Sequence, residues 1–508
     1  MQTNILEYLE ATVQRLPDKP AYCDNAVQLT FRQTADAARA IGSQLLRDGF
    51  YKEPVVVFMK KQPAAVAAFY GAVYAGCYYV PLDEEMPQFR ISLICDTLGP
   101  RAVICDEATE KIMGSIPNFS GRLYRFSEIA ASPVDEAALA AVRKKQIDTD
   151  PIYIVFTSGS TGVPKGVVAC HRSVLDYIEA LSDTLGFSES TVFANQTPLY
   201  FDACLKELYP TMKFGATTWF VPKQLFMFPT KLVEYLNTHK INTVCWVVSA
   251  LTMISSFGTL DTIVPQYLHT VAFGSEVFPI RQFRLWRKAL PNARFTNLYG
   301  PTECTGMSCF YHVEREFADD ERIPIGEPFR NTEILLLDAN DRVPAAGESG
   351  EICIRGTSLT LGYFRQFDKT DEVFVQNPLN HNYPERIYRT GDIGKYNERG
   401  ELVFLSRKDY QIKHMGHRIE LGELDLAASM LDGVRAACAI YDEARSKIVL
   451  FYAGSMDKRE LGKHLHARLP RYMLPNVIHQ LEALPLTPNG KTDRKRLRQL
   501  HEEATISP

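Results

Sequence analysis

"EPVVVFMKKQPAAVAAFYGAVYAGCYYVPL", Glu53 to Leu82, decides the architecture. The apolar β-branched run "EPVVVFM" leads into the helix-like "KQPAAVAAFYGAVYAG", and a second apolar run, "YYVPL", follows at once. Strand and helix signals alternating in this way predict a parallel sheet with covering helices, an α/β architecture. The same alternation persists to about residue 300. From about residue 323 it gives way to short alternating strands broken by turns, "TEILLLDAN", "GEICIRG" and "GELVFLS", which predict a β-rich subdomain of hairpins and bulges. Beyond "SRKDYQIK" (Ser406 to Lys413) come the acidic helix signal "ELGELDLAASMLDG" and the strands "VRAACAIYD" and "SKIVLFYAG". The expected organisation is a large N-terminal domain, 1–407, and a small mobile α+β domain, 408–508, joined at a charged hinge.

At 508 residues the chain exceeds what one hydrophobic core supports. Its 46% hydrophobic and 23% charged residues are those of an ordinary globular protein. Lys and Arg total 56 against 60 Asp and Glu, so bulk charge gives no reason to expect nucleic acid or membrane as partner. The 11 cysteines are scattered without a CxxC pair, as expected of reduced thiols used as small core residues. "MQTNILEYLEATVQRLPDKP" has helical spacing at Ile5, Leu6, Leu9 and Val13 but neither the basic start nor the apolar block of a signal peptide. No apolar run approaches the roughly 20 residues of a membrane helix, so a cytoplasmic monomer is the expectation.

Three segments carry chemistry. "TSGSTGVPKG" (Thr157 to Gly166) concentrates glycines and hydroxyls that present N–H and O–H donors to a multi-oxygen anion such as a polyphosphate. Pro164 precedes Lys165, so the loop is not the GxxxxGK[ST] phosphate loop; a plain surface loop is the alternative. In "NLYGPTECT" (Asn297 to Thr305), Tyr299 can stack on a purine, Thr302 can donate to phosphate and Glu303 can take magnesium; otherwise it is a Tyr-Gly-Pro turn with a solvent-facing acid. "YRTGDIGKY" (Tyr388 to Tyr396) sets Asp392 in a Gly-flanked turn, where a carboxylate can accept both hydroxyls of a ribose.

These segments, with "SRKDYQIKHMGHRIELGELD" and "LPLTPNGKTDRKRL" in the same order, resemble the adenylate-forming superfamily of acyl-CoA synthetases, luciferases and peptide-synthetase adenylation domains. Within it the likeness is greatest to stand-alone amino-acid adenylation domains of nonribosomal peptide synthesis and to D-alanine–carrier protein ligases. The resemblance implies ATP and Mg2+ as cofactors. It implies phosphate contacts from Thr157, Ser158, Gly159, Ser160, Thr161, Gly162 and Lys165, and adenine contacts from Gly274, Ser275, Glu276, Asn297, Leu298, Tyr299, Gly300 and Pro301. Thr302 falls at the α-phosphate, Glu303 at the metal, and Asp392 and Arg407 at the ribose. Lys491 matches the lysine that bridges the substrate carboxylate and the α-phosphate, where cations offset the repulsion of two anions. Thr302, Glu303 and Lys491 are thus the implied catalytic residues, and Asp409 is the implied hinge about which the small domain turns so that Gly416 faces the adenylate in a second half-reaction. Ser406 stands where the family usually has Gly, and "HM" replaces its usual basic residue.

Asp202 in "YFDACLKELYP" matches the carboxylate that receives the α-ammonium of an amino acid, and an acid in that apolar context needs a cationic partner. The family's pocket positions extend to Ala203, Lys206, Trp246, Val271, Phe273, Leu298, Gly306 and Met307. Trp246, Phe273 and Met307 are bulky and argue for a small side chain; Lys206 either pairs with a substrate carboxylate or points to solvent. The implied activity is ATP-dependent formation of aminoacyl-AMP and transfer to the phosphopantetheine thiol of a carrier protein supplied in trans. The alternatives are a D-alanine–carrier protein ligase for cell-envelope modification, an acyl-CoA ligase for a carboxylic acid, an adenylate-forming oxidase and a catalytically silent binding protein.

Overall fold

A computed structural model describes residues 2–117, 119–159, 163–486 and 492–506. The chain divides into two compact units, one formed by 1–84, 98–155 and 166–408, the other by 85–97, 156–165 and 409–508.

The opening motif folds as a strand, Pro54–Phe58, a helix, Pro63–Tyr74, and a parallel strand, Tyr78–Leu82. Pro63 opens the helix where its missing N–H costs nothing. The helix is apolar all round and buried along nearly its whole length, as such a helix must be. It packs against the helix Phe31–Arg47 so closely that a Cβ at Gly71 would stand 2.5 Å from Ile41 Cγ2.

These strands belong to a seven-stranded sheet ordered Gly362–Tyr363, Lys165–Cys170, Pro151–Thr157, Tyr78–Leu82, Pro54–Phe58, Ala102–Cys105, Arg122–Arg125. A nine-stranded sheet runs Glu327–Pro328, Cys309–His312, Arg294–Tyr299, Thr270–Gly274, Thr243–Val247, Val192–Asn195, Thr217–Phe220, Pro20–Cys23, Gln28–Thr30. Its central strands are parallel and it closes on antiparallel edges. The third sheet is antiparallel and comprises Thr332–Leu337, Gly350–Gly356, Arg386–Tyr396, Phe374–Gln376 and Leu402–Arg407. This is the β-rich region that the turn-broken segments predict.

One expectation is corrected here. Asp392 lies not in a turn but inside the 11-residue strand Arg386–Tyr396. The flanking glycines instead mark an irregular stretch of that strand: Gly391 has φ +73°, and the pairing register shifts between Ile393 and Gly394.

In the second unit, the hairpin Gln411–His414 with His417–Glu420, the helix Leu421–Ser429 and a three-stranded sheet share an apolar core around Ile419, Leu424, Leu450 and Leu465. Met415 and Gly416 turn the hairpin with φ +50° and +77°, the two positive values of a type I′ turn. Among the described residues no helix is long and apolar enough to cross a membrane. All 11 cysteines are buried.

Candidate functional site

A side-chain contact between the nine-stranded sheet and the third sheet brings Tyr299 and Asp392 together from 93 positions apart in the sequence. Asp392 and Arg407 are direct cross-strand partners, and the Arg407 guanidinium donates to Asp392 Oδ1. Tyr299, the last residue of the strand Arg294–Tyr299, donates its hydroxyl to Asp392 Oδ2 at 2.5 Å. Burial, then the charge of Asp392, holds the Tyr299 phenol protonated far above its ordinary range. Among the described residues each oxygen of Asp392 is engaged once, and a carboxylate has about four acceptor sites, so capacity for hydroxyl donors remains.

Beyond Tyr299 the backbone folds back on itself. A Cβ at Gly300 would lie 2.3 Å from Gly306 O and 2.5 Å from Met307 Cα, so only glycine fits. After Pro301, a 3₁₀ turn over Thr302–Cys304 carries Glu303 inward to complete burial, in place of the solvent-facing alternative. Tyr363 donates to Glu303 Oε1 at 2.8 Å, and the Thr360 hydroxyl donates to the Glu303 carbonyl at 2.9 Å. Among the described residues no cluster of three or more His, Cys, Asp or Glu could hold a metal by itself. A single buried carboxylate fits magnesium only in the manner of a nucleotide-bound ion, one protein oxygen beside phosphate oxygens and water.

Asp202 begins a 3₁₀ turn, Asp202–Cys204, that continues into the helix Leu205–Phe214. Burial pushes its carboxyl up; the Thr302 hydroxyl and the Lys206 ammonium oppose the rise, and the charge of Glu303 adds to it. Burial first, and then the charge of the same carboxylate, raises the phenols of Tyr153 and Tyr177 above their ordinary range. Lys206, one helical turn after Asp202, is 3% exposed and does not point to solvent. Its neighbour Glu207 is fully buried: Asn195 Nδ2 donates to Oε2 at 3.2 Å, and Oε1 has no hydrogen-bond partner among the described residues. Burial pushes Glu207 up to about 8. Lys61 donates to the carbonyls of Asn195 and Gln196 at 3.0 and 2.9 Å, and burial brings it down to about 7 against the pull of Glu207.

The remaining pocket positions separate. Val271 and Phe273 lie in an aromatic core, with the Phe273 ring 5.0 Å from Phe278 and 6.0 Å from Phe283. Trp246 belongs to the same core, stacks edge-on to Phe226 and donates Nε1 to Ala194 O at 2.6 Å. Leu298 and Met307 pack instead with Tyr177, Leu205 and Leu208 in the other large core. Strand alternation accounts for the division of the strand residues: Val271 and Phe273 share one face, and Ala272, paired beside Cys245, takes the other. Gly306, at φ +111°, would bring a Cβ to 3.2 Å from the Tyr177 ring, and Ala203 is half-buried beside Asp202. Gly274 admits no side chain, since a Cβ would meet Leu298 O at 2.3 Å. Ser275 follows at φ +66°; Glu276 accepts from Ser249 N at the start of the helix Val248–Ser256, and Asn297 Nδ2 donates to Pro324 O at 2.8 Å.

In the second unit, Ser158 Oγ donates to Arg418 O at 3.0 Å and accepts from Glu420 N at 3.3 Å. Thr157 Oγ1 is buried without a hydrogen-bond partner among the described residues, and Gly159 approaches Val163 O so closely that a Cβ would lie 2.0 Å from it. Lys165 opens the strand Lys165–Cys170. Arg90 and Glu423, both buried, form an ion pair at 2.5 Å. Asp409 is exposed and accepts from Gln411 N. Ser160, Thr161, Gly162 and Lys491 lie outside the described residues.

Tyr363, Lys61, Glu207, Tyr153 and Tyr177 are not legible as site residues in the sequence. Tyr363 meets Glu303 from 60 positions away, and Lys61 meets Asn195 from 134, with no local motif to announce either.

A family model described as AMP-binding enzyme matches residues 9–364. Tyrocidine synthase 3 of Brevibacillus parabrevis is 31% identical over 512 residues, 99% of this chain and 8% of the relative. A dimodular nonribosomal peptide synthase of Bacillus subtilis is 31% identical over 498 residues, 95% of this chain and 20% of the relative. The chain therefore spans a small fraction of these relatives. Among solved structures, the Vibrio cholerae adenylation domain AlmE, in complex with glycyl-adenosine-5′-phosphate, superposes with TM-score 0.84 at 19% identity over 99% of this chain and 98% of that one. An artificially fused adenylation–PCP di-domain, NpsA-ThdA from Klebsiella oxytoca, gives 0.80 at 20% identity over 100% and 97%. The o-succinylbenzoate CoA synthetase of Bacillus subtilis gives 0.82 at 19% over 98% of each chain; at these identities the likeness is one of fold.

Proposed function

The chain belongs to the AMP-binding enzyme family, as an adenylate-forming enzyme of the nonribosomal-peptide-synthetase adenylation type, and on that premise we propose that it activates an amino acid and passes it to a carrier-protein thiol. In the first step an oxygen of the substrate carboxylate bonds to the α-phosphorus of ATP and the bond to the β-phosphate oxygen breaks, releasing pyrophosphate. In the second a phosphopantetheine thiolate bonds to the acyl carbon and AMP leaves.

The observation that carries the amino-acid reading is Asp202, an acid whose burial disfavours its charge and which stands beside Thr302 and Glu303. A substrate ammonium would offset that cost, and a simple fatty or aryl acid has none to offer. Asp392, oriented by Arg407 and Tyr299, accepts the ribose hydroxyls; Thr302 donates to the α-phosphate. When bound, magnesium at Glu303 supplies positive charge to the phosphates. Thr157 Oγ1, a buried hydroxyl lacking a partner among the described residues, suits the phosphate-gripping role of the Gly-rich loop. Lys491 is assigned the bridging role by resemblance. Asp409 is assigned the hinge between domains 1–407 and 408–508, and the carrier protein acts in trans.

AlmE bound to glycyl-adenosine-5′-phosphate and the NpsA-ThdA di-domain support the adenylate and the carrier respectively. The CoA synthetase neighbour supports a second reading in which CoA is the acceptor. Pyrophosphate–ATP exchange over D- and L-amino acids tests the first step, with Asp202→Ala expected to lose activity. Separate assays with carrier protein and CoA decide the acceptor: product on CoA alone would refute carrier transfer.

A further inference from the structure

The cross-strand pair Asp392 and Arg407 is flanked by a second, buried carboxylate. On the neighbouring strand Gly350–Gly356, Glu351 pairs with Ile393 and Cys353 with Arg389, so Ile352 alone stands opposite Thr390, Gly391 and Asp392. Such a stretch falls out of the regular ladder, and its backbone groups need other partners. Side chains supply them. Glu351 Oε1 accepts from Gly391 N at 3.0 Å. The Thr390 hydroxyl accepts from Asp392 N at 2.9 Å and donates to Ile352 O at 2.6 Å. The other oxygen of Glu351 accepts from Lys408 Nζ at 2.9 Å and from Arg389 Nη1 at 3.0 Å. Lys408 N in turn donates to Gly391 O at 2.8 Å. Glu351, 4% exposed, therefore grips the residue before Asp392 and the residue after Arg407, while Asp392 and Arg407 hold each other.

We infer that Glu351 is a positioning residue of the ribose site: it fixes the stretch Thr390 to Asp392 so that the remaining acceptor capacity of Asp392 meets the ribose hydroxyls. The inference rests on the reading of Asp392 as the ribose acceptor and adds the residue through which that acceptor is oriented. A regular ladder would join these strands without burying a charge, and a buried ion pair is weak evidence for stability. What the arrangement specifies is where Asp392 stands. An acceptor held in place by neighbours that are themselves hydrogen-bonded binds without the cost of ordering it. Glutamine at 351 keeps the shape and one acceptor oxygen, but its amide nitrogen only donates and cannot hold Lys408 or Arg389, so the grip opens on the Arg407 flank.

The test is calorimetric binding of ATP and of 2′,3′-dideoxy-ATP, each with Mg2+, to the full chain and to Glu351→Gln, Lys408→Met and Asp392→Asn. The quantity read is the ratio of the two dissociation constants within each protein, which a change in folded fraction does not move. Wild type is expected to bind ATP at least about tenfold more tightly than the dideoxy nucleotide, the scale of a hydrogen bond to a charged acceptor. The ratio should fall below about threefold in Glu351→Gln, to an intermediate value in Lys408→Met, and to near unity in Asp392→Asn. If Glu351→Gln does not fold, Lys408→Met, at a half-exposed side chain, decides. A wild-type preference that Asp392→Asn abolishes but that the Glu351 and Lys408 variants leave intact overturns the inference while the ribose role of Asp392 stands. A wild-type ratio near unity, or a preference that survives Asp392→Asn, refutes that ribose role instead.

Discussion

Replacing Arg407 by Met removes the charge that faces Asp392 across the sheet and nearly preserves volume. The Asp392 side chain is 4% exposed and that of Arg407 is 10%, so solvent does little to screen the pair. Removing one partner of a buried ion pair costs about 3–5 kcal/mol, because the surviving charge is left desolvated. Tyr299 still donates to Asp392 Oδ2, so the low end, about 3 kcal/mol, is expected. Adding Asp392→Asn removes the orphaned charge and should return part of that loss, giving a coupling of about 1–3 kcal/mol in a double-mutant cycle. Urea titration followed by tryptophan emission is the assay: Trp219, Trp246 and Trp286 all lie in the same unit as Tyr299, Asp392 and Arg407. A midpoint for Arg407→Met equal to wild type, or a double variant no more stable than the single, would refute the claim that this cluster is an electrostatically matched unit.

The buried His171, whose Nδ1 accepts from Ile5 N at 3.2 Å, is brought down to about 4 by burial. A base with a lowered folded pKa contributes stability that is complete above its unfolded value near 6.5 and is lost as pH falls through about 4, up to about 3 kcal/mol; His171→Gln should lose less stability than wild type between about pH 7 and 4 in urea titrations. Gly300→Ala drives a Cβ into backbone at Gly306 and Met307 and should cost about 1–3 kcal/mol, with pyrophosphate exchange falling more than about tenfold. Met415→Asn places a residue tolerant of positive φ in the hairpin turn, relieving up to about 1 kcal/mol; slower amide hydrogen exchange across Gln411–Glu420 is the expected readout.

The sheet-forming alternation around Glu53–Leu82 is legible because strands and helices differ in the period of their apolar residues. The irregular stretch at Ile393–Gly394 is not: Gly391 and Gly394 have the local signature of a turn, and pairing with Gly350–Gly356 on one side and Leu402–Arg407 on the other makes that segment a strand. Lys206 leaves two readings open because helical spacing alone does not reveal what covers a face; the structure buries it. Family position groups Trp246, Val271 and Phe273 with Leu298 and Met307, yet it does not register which face of a strand a side chain takes. Glu303 stands out in the sequence as an acid of interest, but its seat under Tyr363 depends on a contact between segments far apart in the chain.

Amino-acid activation at Asp202 is tested most directly by comparing pyrophosphate exchange for an amino acid and for the same acid lacking its α-amine, in wild type and in Asp202→Asn. A strong requirement for the amine is expected in wild type, about 100-fold or more. Asp202→Asn should abolish the discrimination. Exchange at equal rates with and without the amine in the wild-type protein would contradict amino-acid activation at Asp202.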